Sequence, residues 1–184
     1  MTSKLKTDVL ETVSGSGTIA LTNQLSGMTS ASMPSGSVLQ VQTGFVTSIG
    51  STTSDAYVTT NLSTTITPKF TNSKILIDVM WSDWWNQSTP SANYATYTIY
   101  RNGVNISDNS TNSAKGSGKI CLFRTMEGGS NGDVSRSMGT YHSPASTASQ
   151  TYTLMVRKWS ANADVLYFCD GHGQNVIKLT EIKQ

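Results

Sequence analysis

From Ser37 to the C-terminus, apolar and polar residues alternate with a period of two, and no window keeps the 3.6-residue spacing of an amphipathic helix. The alternation predicts strands at 38–45, 57–67, 74–81, 94–100, 104–107, 119–126, 135–142, 151–159, 165–169 and 176–182. Short strands separated by turns rich in Gly, Asn and Ser define an all-β chain, and the expected architecture is an antiparallel β-sandwich. The run YATYTIYRNGVNIS is the sharpest local signal. Asn102-Gly103 sits between two alternating segments, and a type I′ turn needs φ > 0 at both central residues, which Asn and Gly tolerate best. Along 74–81, Ile75, Ile77, Val79 and Trp81 share one face, while Leu76, Asp78, Met80 and Ser82 share the other. That second face is mixed, as suits a strand whose back meets solvent or a partner subunit.

The first thirty-odd residues follow a different pattern. Their apolar side chains are sparse: Leu5, Val9, Leu10 and Val13, a Ser-Gly-Ser-Gly turn at 14–17, then Ile19, Leu21 and Leu25. Burying each contributes about 1.5–3 kcal/mol, while ordering the backbone costs about 1–2 kcal/mol per residue. So few side chains cannot close a core within one chain. The segment is expected to be an attachment and trimerisation arm, ordered against its own copies or on a larger assembly. Met33-Pro34-Ser35-Gly36 is a turn signal and marks the boundary, dividing the chain into an arm at 1–36 and a β-sandwich at 37–184.

Composition narrows the class. There are 27 Ser and 26 Thr among 184 residues, with only 13% charged and 8% aromatic, a profile far from that of a metabolic enzyme and common in extracellular or virion β-proteins. The net charge is +2 and the 13 Lys and Arg are scattered, so there is no electrostatic footprint for nucleic acid. No run approaches the ~20 apolar residues that span a bilayer, and the Met-Thr-Ser-Lys opening lacks the apolar region of a signal peptide. Synthesis in a cytoplasm without membrane insertion is the expectation. Cys121 and Cys169 sit in apolar runs and read as small buried hydrophobes, with no sequence support for a disulfide. The Asn-x-Ser/Thr triplets at Asn61, Asn86, Asn105 and Asn109 are about as many as this Ser/Thr content produces by chance.

Several motifs lack the context their chemistry requires. Gly128-Gly129-Ser130-Asn131-Gly132 matches a nucleophile elbow in spelling, but no helix signal follows it and it reads as a hairpin loop. In Lys115-Gly116-Ser117-Gly118-Lys119 the first glycine of a phosphate loop is missing, and Ile120 replaces the magnesium-binding Ser/Thr. His142 and His172 are the only histidines, and the run around His172 offers two metal ligands where three or four are needed. No carboxylate pair stands out for glycoside cleavage. Neither a catalytic set, a metal site nor a cofactor is expected.

The cluster Trp81-Ser82-Asp83-Trp84-Trp85-Asn86-Gln87 is the local candidate for recognition. Indoles interleaved with Ser, Asp, Asn and Gln provide stacking faces and hydrogen-bond partners for a sugar ring. Trp84, Trp85, Asp83 and Asn86 are the candidate glycan or receptor contacts. Alternation puts Trp81 and Trp85 on one face and Trp84 on the other, so part of the cluster must be packing.

Residues 3–41, SKLKTDVLETVSGSGTIALTNQLSGMTSASMPSGSVLQV, resemble the opening of many small virion proteins of tailed bacteriophages, especially marine and cyanobacterial ones. The remainder is similar to their distal domains: STTITP at 63–68 followed by NSKILI at 72–77, the Asn102-Gly103 hairpin, His142-Ser143-Pro144 before TYTL at 151–154, and a closing strand with Glu181. Such domains look like trimeric jelly rolls of the tumour-necrosis-factor-like type. The resemblance implies a jelly-roll-like knob, a homotrimer, and N-termini attached to other virion proteins of tail, neck or capsid. With no shaft before the domain, it favours a short tail fibre or fibre tip with host-glycan adhesion. A capsid decoration or head-fibre protein is the alternative, and a small polysaccharide depolymerase is the second alternative.

Overall fold

The computed structural model describes residues 30–86, 92–106, 123–128, 134–158, 164–169 and 174–184. The arm residues Leu5 to Leu25, Cys121, His172, and the glycine-rich segments at 115–119 and 129–133 lie outside the described residues. The chain separates into two compact units, Met1–Met33 and Pro34–Gln184. In the first, the described residues contain a 3₁₀ turn at Ser30–Ser32.

The described residues of the second unit form eleven strands: β1 (Val38–Phe45), β2 (Gly50–Thr52), β3 (Val58–Ile66), β4 (Lys74–Asn86), β5 (Ala92–Arg101), β6 (Val104–Asn105), β7 (Phe123–Gly128), β8 (Val134–His142), β9 (Gln150–Lys158), β10 (Val165–Phe168) and β11 (Val176–Ile182). They form two antiparallel sheets packed face to face, a β-sandwich. One sheet runs β1-β11-β4-β8. Because β4 is 13 residues long, its edge beyond β11 continues onto β10, which in turn pairs with β2. The other sheet runs β3-β9-β5, and the far edge of β5 takes β7 and the short β6.

The core lies between the sheets. Ile75, Ile77, Val79, Trp81 and Trp85 from β4 and Ile177 and Leu179 from β11 meet Leu62 and Ile66 from β3, Tyr97 and Ile99 from β5, and Tyr152, Leu154 and Val156 from β9. Burying each such side chain contributes about 1.5–3 kcal/mol.

Three local devices hold the sandwich in register. Asn102 and Gly103 have φ of 48° and 82°, the conformation a type I′ hairpin requires. The turn is docked as well: the Asn102 amide donates to the Thr151 carbonyl at 2.9 Å, and the Thr151 amide donates to Asn102 Oδ1 at 2.8 Å. In β3 the pairing with β9 slips between Thr59 and Ser63, where Asn61 takes φ 62°. The Thr60 hydroxyl donates to the Leu154 carbonyl at 2.8 Å and accepts from the Leu62 amide at 3.2 Å, standing in for the interrupted backbone ladder. Here β1 crosses close over β3, and a Cβ on Gly44 would sit 2.1 Å from the Ser63 carbonyl oxygen. Only glycine fits there.

The third device is Glu181, whose carboxylate is fully buried. It accepts from the Lys69 amide, the Ser73 hydroxyl and Gln40 Nε2, each at 2.6 Å, and so ties the β3–β4 connection and β1 to the final strand. A buried carboxylate is tolerated when its lone pairs are met in this way.

Candidate functional site

The tryptophan-rich run is the upper half of β4, where β10 replaces β11 as the paired neighbour. Strand parity continues through it, although Ser82 on the outward side is itself buried, its amide and hydroxyl donating to Asn175 Oδ1. Trp81, Asp83 and Trp85 face the core, and Trp84 faces outward.

Asp83 is fully buried between the two indoles. Arg136, the β8 residue paired with Trp81, shares its Nε–H between both carboxylate oxygens at 2.8 Å, and the Tyr97 hydroxyl reaches across from β5 to donate to Oδ2. The Tyr97 ring lies 4.6 Å from that of Trp81. Burial, then the charge of Asp83 and the hydrogen bond to it, push the Tyr97 phenol well above its ordinary range, with Trp81 and Arg136 opposing. The phenol therefore stays a donor. This buried polar network links the two sheets through Asp83.

On the outer face, Trp84 is paired in register with Tyr167 of β10, and the two half-buried rings stack 4.2 Å apart at 6°. Next to Tyr167 stands the exposed Ser51 of β2, and Asn86 is exposed at the end of β4. Of the four expected contact residues, then, Trp84 and Asn86 reach solvent. Trp85 and Asp83 do not and are corrected to interior roles, because they share the parity of Trp81 and point between the sheets. Tyr167 was missed. Its signal was present in the alternation of Tyr167 with the core residues Leu166 and Phe168.

A second polar group lies at the other end of the sandwich. His142 Nδ1 and the Tyr152 hydroxyl share a hydrogen bond at 3.0 Å, with the rings edge to face, and Arg101 donates to the Pro144 carbonyl at 3.2 Å. Burial, and then the Arg101 charge, lower the His142 pKa below its ordinary 6.5. Burial also pushes Tyr152 up to about 12. In the unfolded chain the imidazole takes a proton near 6.5, whereas in the folded chain it does so only at lower pH. The unfolded state binds more protons in that window, so stability should fall as pH drops through it and level off below the folded value. Denaturant melts of the wild type and of His142→Asn between about pH 7.5 and about pH 5 check this: the wild type should lose more stability than the variant.

Among the described residues, no group of three or more His, Cys, Asp or Glu is placed to hold a metal ion, and no helix is long and apolar enough to cross a membrane. Cys169 is buried. Neither a protein-family model nor a curated protein matches the chain.

Proposed function

We propose that this chain is a non-enzymatic structural protein of a tailed-bacteriophage virion, a short tail fibre or fibre tip. It is a homotrimer whose N-terminal unit attaches to other virion proteins and whose β-sandwich is the exposed knob. The observation that carries the reading is the nesting of the strand pairs. β1 pairs with β11, β3 with β9, β4 with β8 and β5 with β7, each pair nested inside the one before, and this nesting supports a jelly-roll reading and with it the likeness to phage distal domains drawn from residues 63–182.

Adhesion to a host-surface glycan is assigned to the outer face at Trp84, Tyr167 and Asn86. An indole held rigid by a stacked tyrosine offers an apolar edge beside an exposed amide, which suits weak sugar contacts multiplied over three copies.

The separate N-terminal unit makes the attachment half testable. Deleting Met1–Met33 should leave the second unit folded, because its strands begin at Val38, while abolishing incorporation into particles. Circular dichroism of the truncated protein and immunolabelling of particles grown with it check both halves. Wild-type occupancy by the truncated chain would overturn the anchor assignment. Labelling on the capsid instead of the tail would convert the reading to a head-fibre or decoration protein.

A further inference from the structure

One core position carries a charge. On β9, Tyr152, Leu154 and Val156 point between the sheets, and the next residue of that parity is Lys158, paired with Ala95 and only 1% exposed. Alternation calls for an apolar side chain there, because a buried ammonium is costly to desolvate unless it is partnered. Its partner lies at the edge of the other sheet. Lys158 Nζ donates to the Asp164 carbonyl at 2.7 Å, immediately before β10 begins at Val165. The Lys158 backbone amide reaches the same edge, donating to the Ser54 carbonyl at 2.9 Å, two residues beyond the end of β2. The Ser54 amide donates in turn to Thr52 Oγ1 at 3.0 Å, which closes the corner. One residue of β9 therefore holds the ends of both β2 and β10.

We propose that Lys158 is a positioning residue for the outer-face stack: by tying β10 and β2 to the opposite sheet it sets the geometry of Trp84 and Tyr167, an inference that rests on the glycan reading above. Tyr167 of β10 stacks on Trp84 and pairs with Ser51 of β2, so the recognition row spans three strands, two of them only four and three residues long. Strands that short have few ladder bonds, and their place depends on what else holds them. Behind the row stand Trp85, Leu166 and Thr52, buried and paired across the same three strands. The Trp85 indole N–H is buried without an acceptor, so that side chain adds no hydrogen bond to secure β10. Lys158 supplies one from the far side of the core. The sheets of a sandwich stand about 10 Å apart, and a lysine stem covers much of that gap while its ammonium keeps a polar partner. Methionine, of similar length, would fill the same space and avoid the desolvation cost, but it could not hold the Asp164 carbonyl.

Hydrogen exchange read by mass spectrometry on full-length Lys158→Met tests the tie, strand by strand. Amides of β10 and β2 should exchange about tenfold faster than in the wild type, while those of β11 and β1 stay unchanged. The near-ultraviolet circular dichroism of the stacked pair, isolated as the difference between each protein and its Trp84→Phe version, should shrink in parallel. Exchange that rises equally in all four strands, or in none, overturns the positioning role. Should Lys158→Met lose the strand signal, Thr52→Val decides instead, since it removes the hydroxyl that accepts the Ser54 amide. Faster exchange in β2 and β10 than in β11 then supports the tie, and equal exchange overturns it. The folded Lys158→Met protein should also bind host cells about tenfold more weakly, as a loosened platform presents its rings in fewer productive geometries. Wild-type binding by Lys158→Met overturns this inference and leaves the glycan reading intact, whereas wild-type binding by Trp84→Ala overturns the glycan reading itself.

Discussion

Replacing Arg136 with Met is expected to destabilise the β-sandwich by about 3–5 kcal/mol, a large share of the roughly 5–15 kcal/mol that holds an ordinary domain folded. The reason lies in what remains. Asp83 is fully buried, Arg136 is its ion-pair partner at 2.8 Å, and the partner is itself only 12% exposed, so water cannot readily take its place. Tyr97 would be left as the donor to a carboxylate stripped of its counter-charge. Removing the whole network tells a different story. Asp83→Leu with Arg136→Met and Tyr97→Phe eliminates both the attraction and the desolvation cost, and it should be far milder than the single change, within about 2 kcal/mol of wild type. Urea denaturation of the three proteins measures both quantities. If the single variant is as stable as wild type, the network contributes nothing to the fold.

The second large effect separates two neighbouring tryptophans. Trp81→Ala removes a fully buried indole packed against Tyr97 and should cost about 3–5 kcal/mol. Trp84→Ala removes a half-buried ring whose main partner is Tyr167, and should cost only about 1 kcal/mol. The two are three residues apart on one strand, so composition alone would rank them equally. Guanidinium melts give the stability difference, and binding of the folded Trp84→Ala protein to host cells gives the adhesive one. Equal destabilisation would make Trp84 a packing residue. Unchanged cell binding would remove the glycan assignment and leave a purely structural knob.

Much of this was legible in the chain because a strand's side chains alternate with a fixed period set by local backbone geometry. That periodicity located ten of the strands, with β4 ending five residues later than expected, and the Asn102-Gly103 turn followed from steric rules acting on two residues. It also divided Trp81 and Trp85 from Trp84, since parity along one strand needs no partner.

Partners, by contrast, were decided by the tertiary structure. The three-residue β2 is too short to carry a pattern of its own; its ladder exists because β10 passes beside it. β4 runs on through Asn86 because β10 pairs with its last residues. Asp83 reads as a polar residue flanking a binding cluster until Arg136, 53 positions away, and Tyr97 from the opposite sheet are brought to it. Glu181 likewise finds Ser73 and Lys69 only when β11 closes against β4, 108 and 112 positions from them. Ion pairing and strand pairing act through space and across sheets, so they depend on which distant segments the fold brings within a few ångströms, whereas alternation is written into each strand residue by residue.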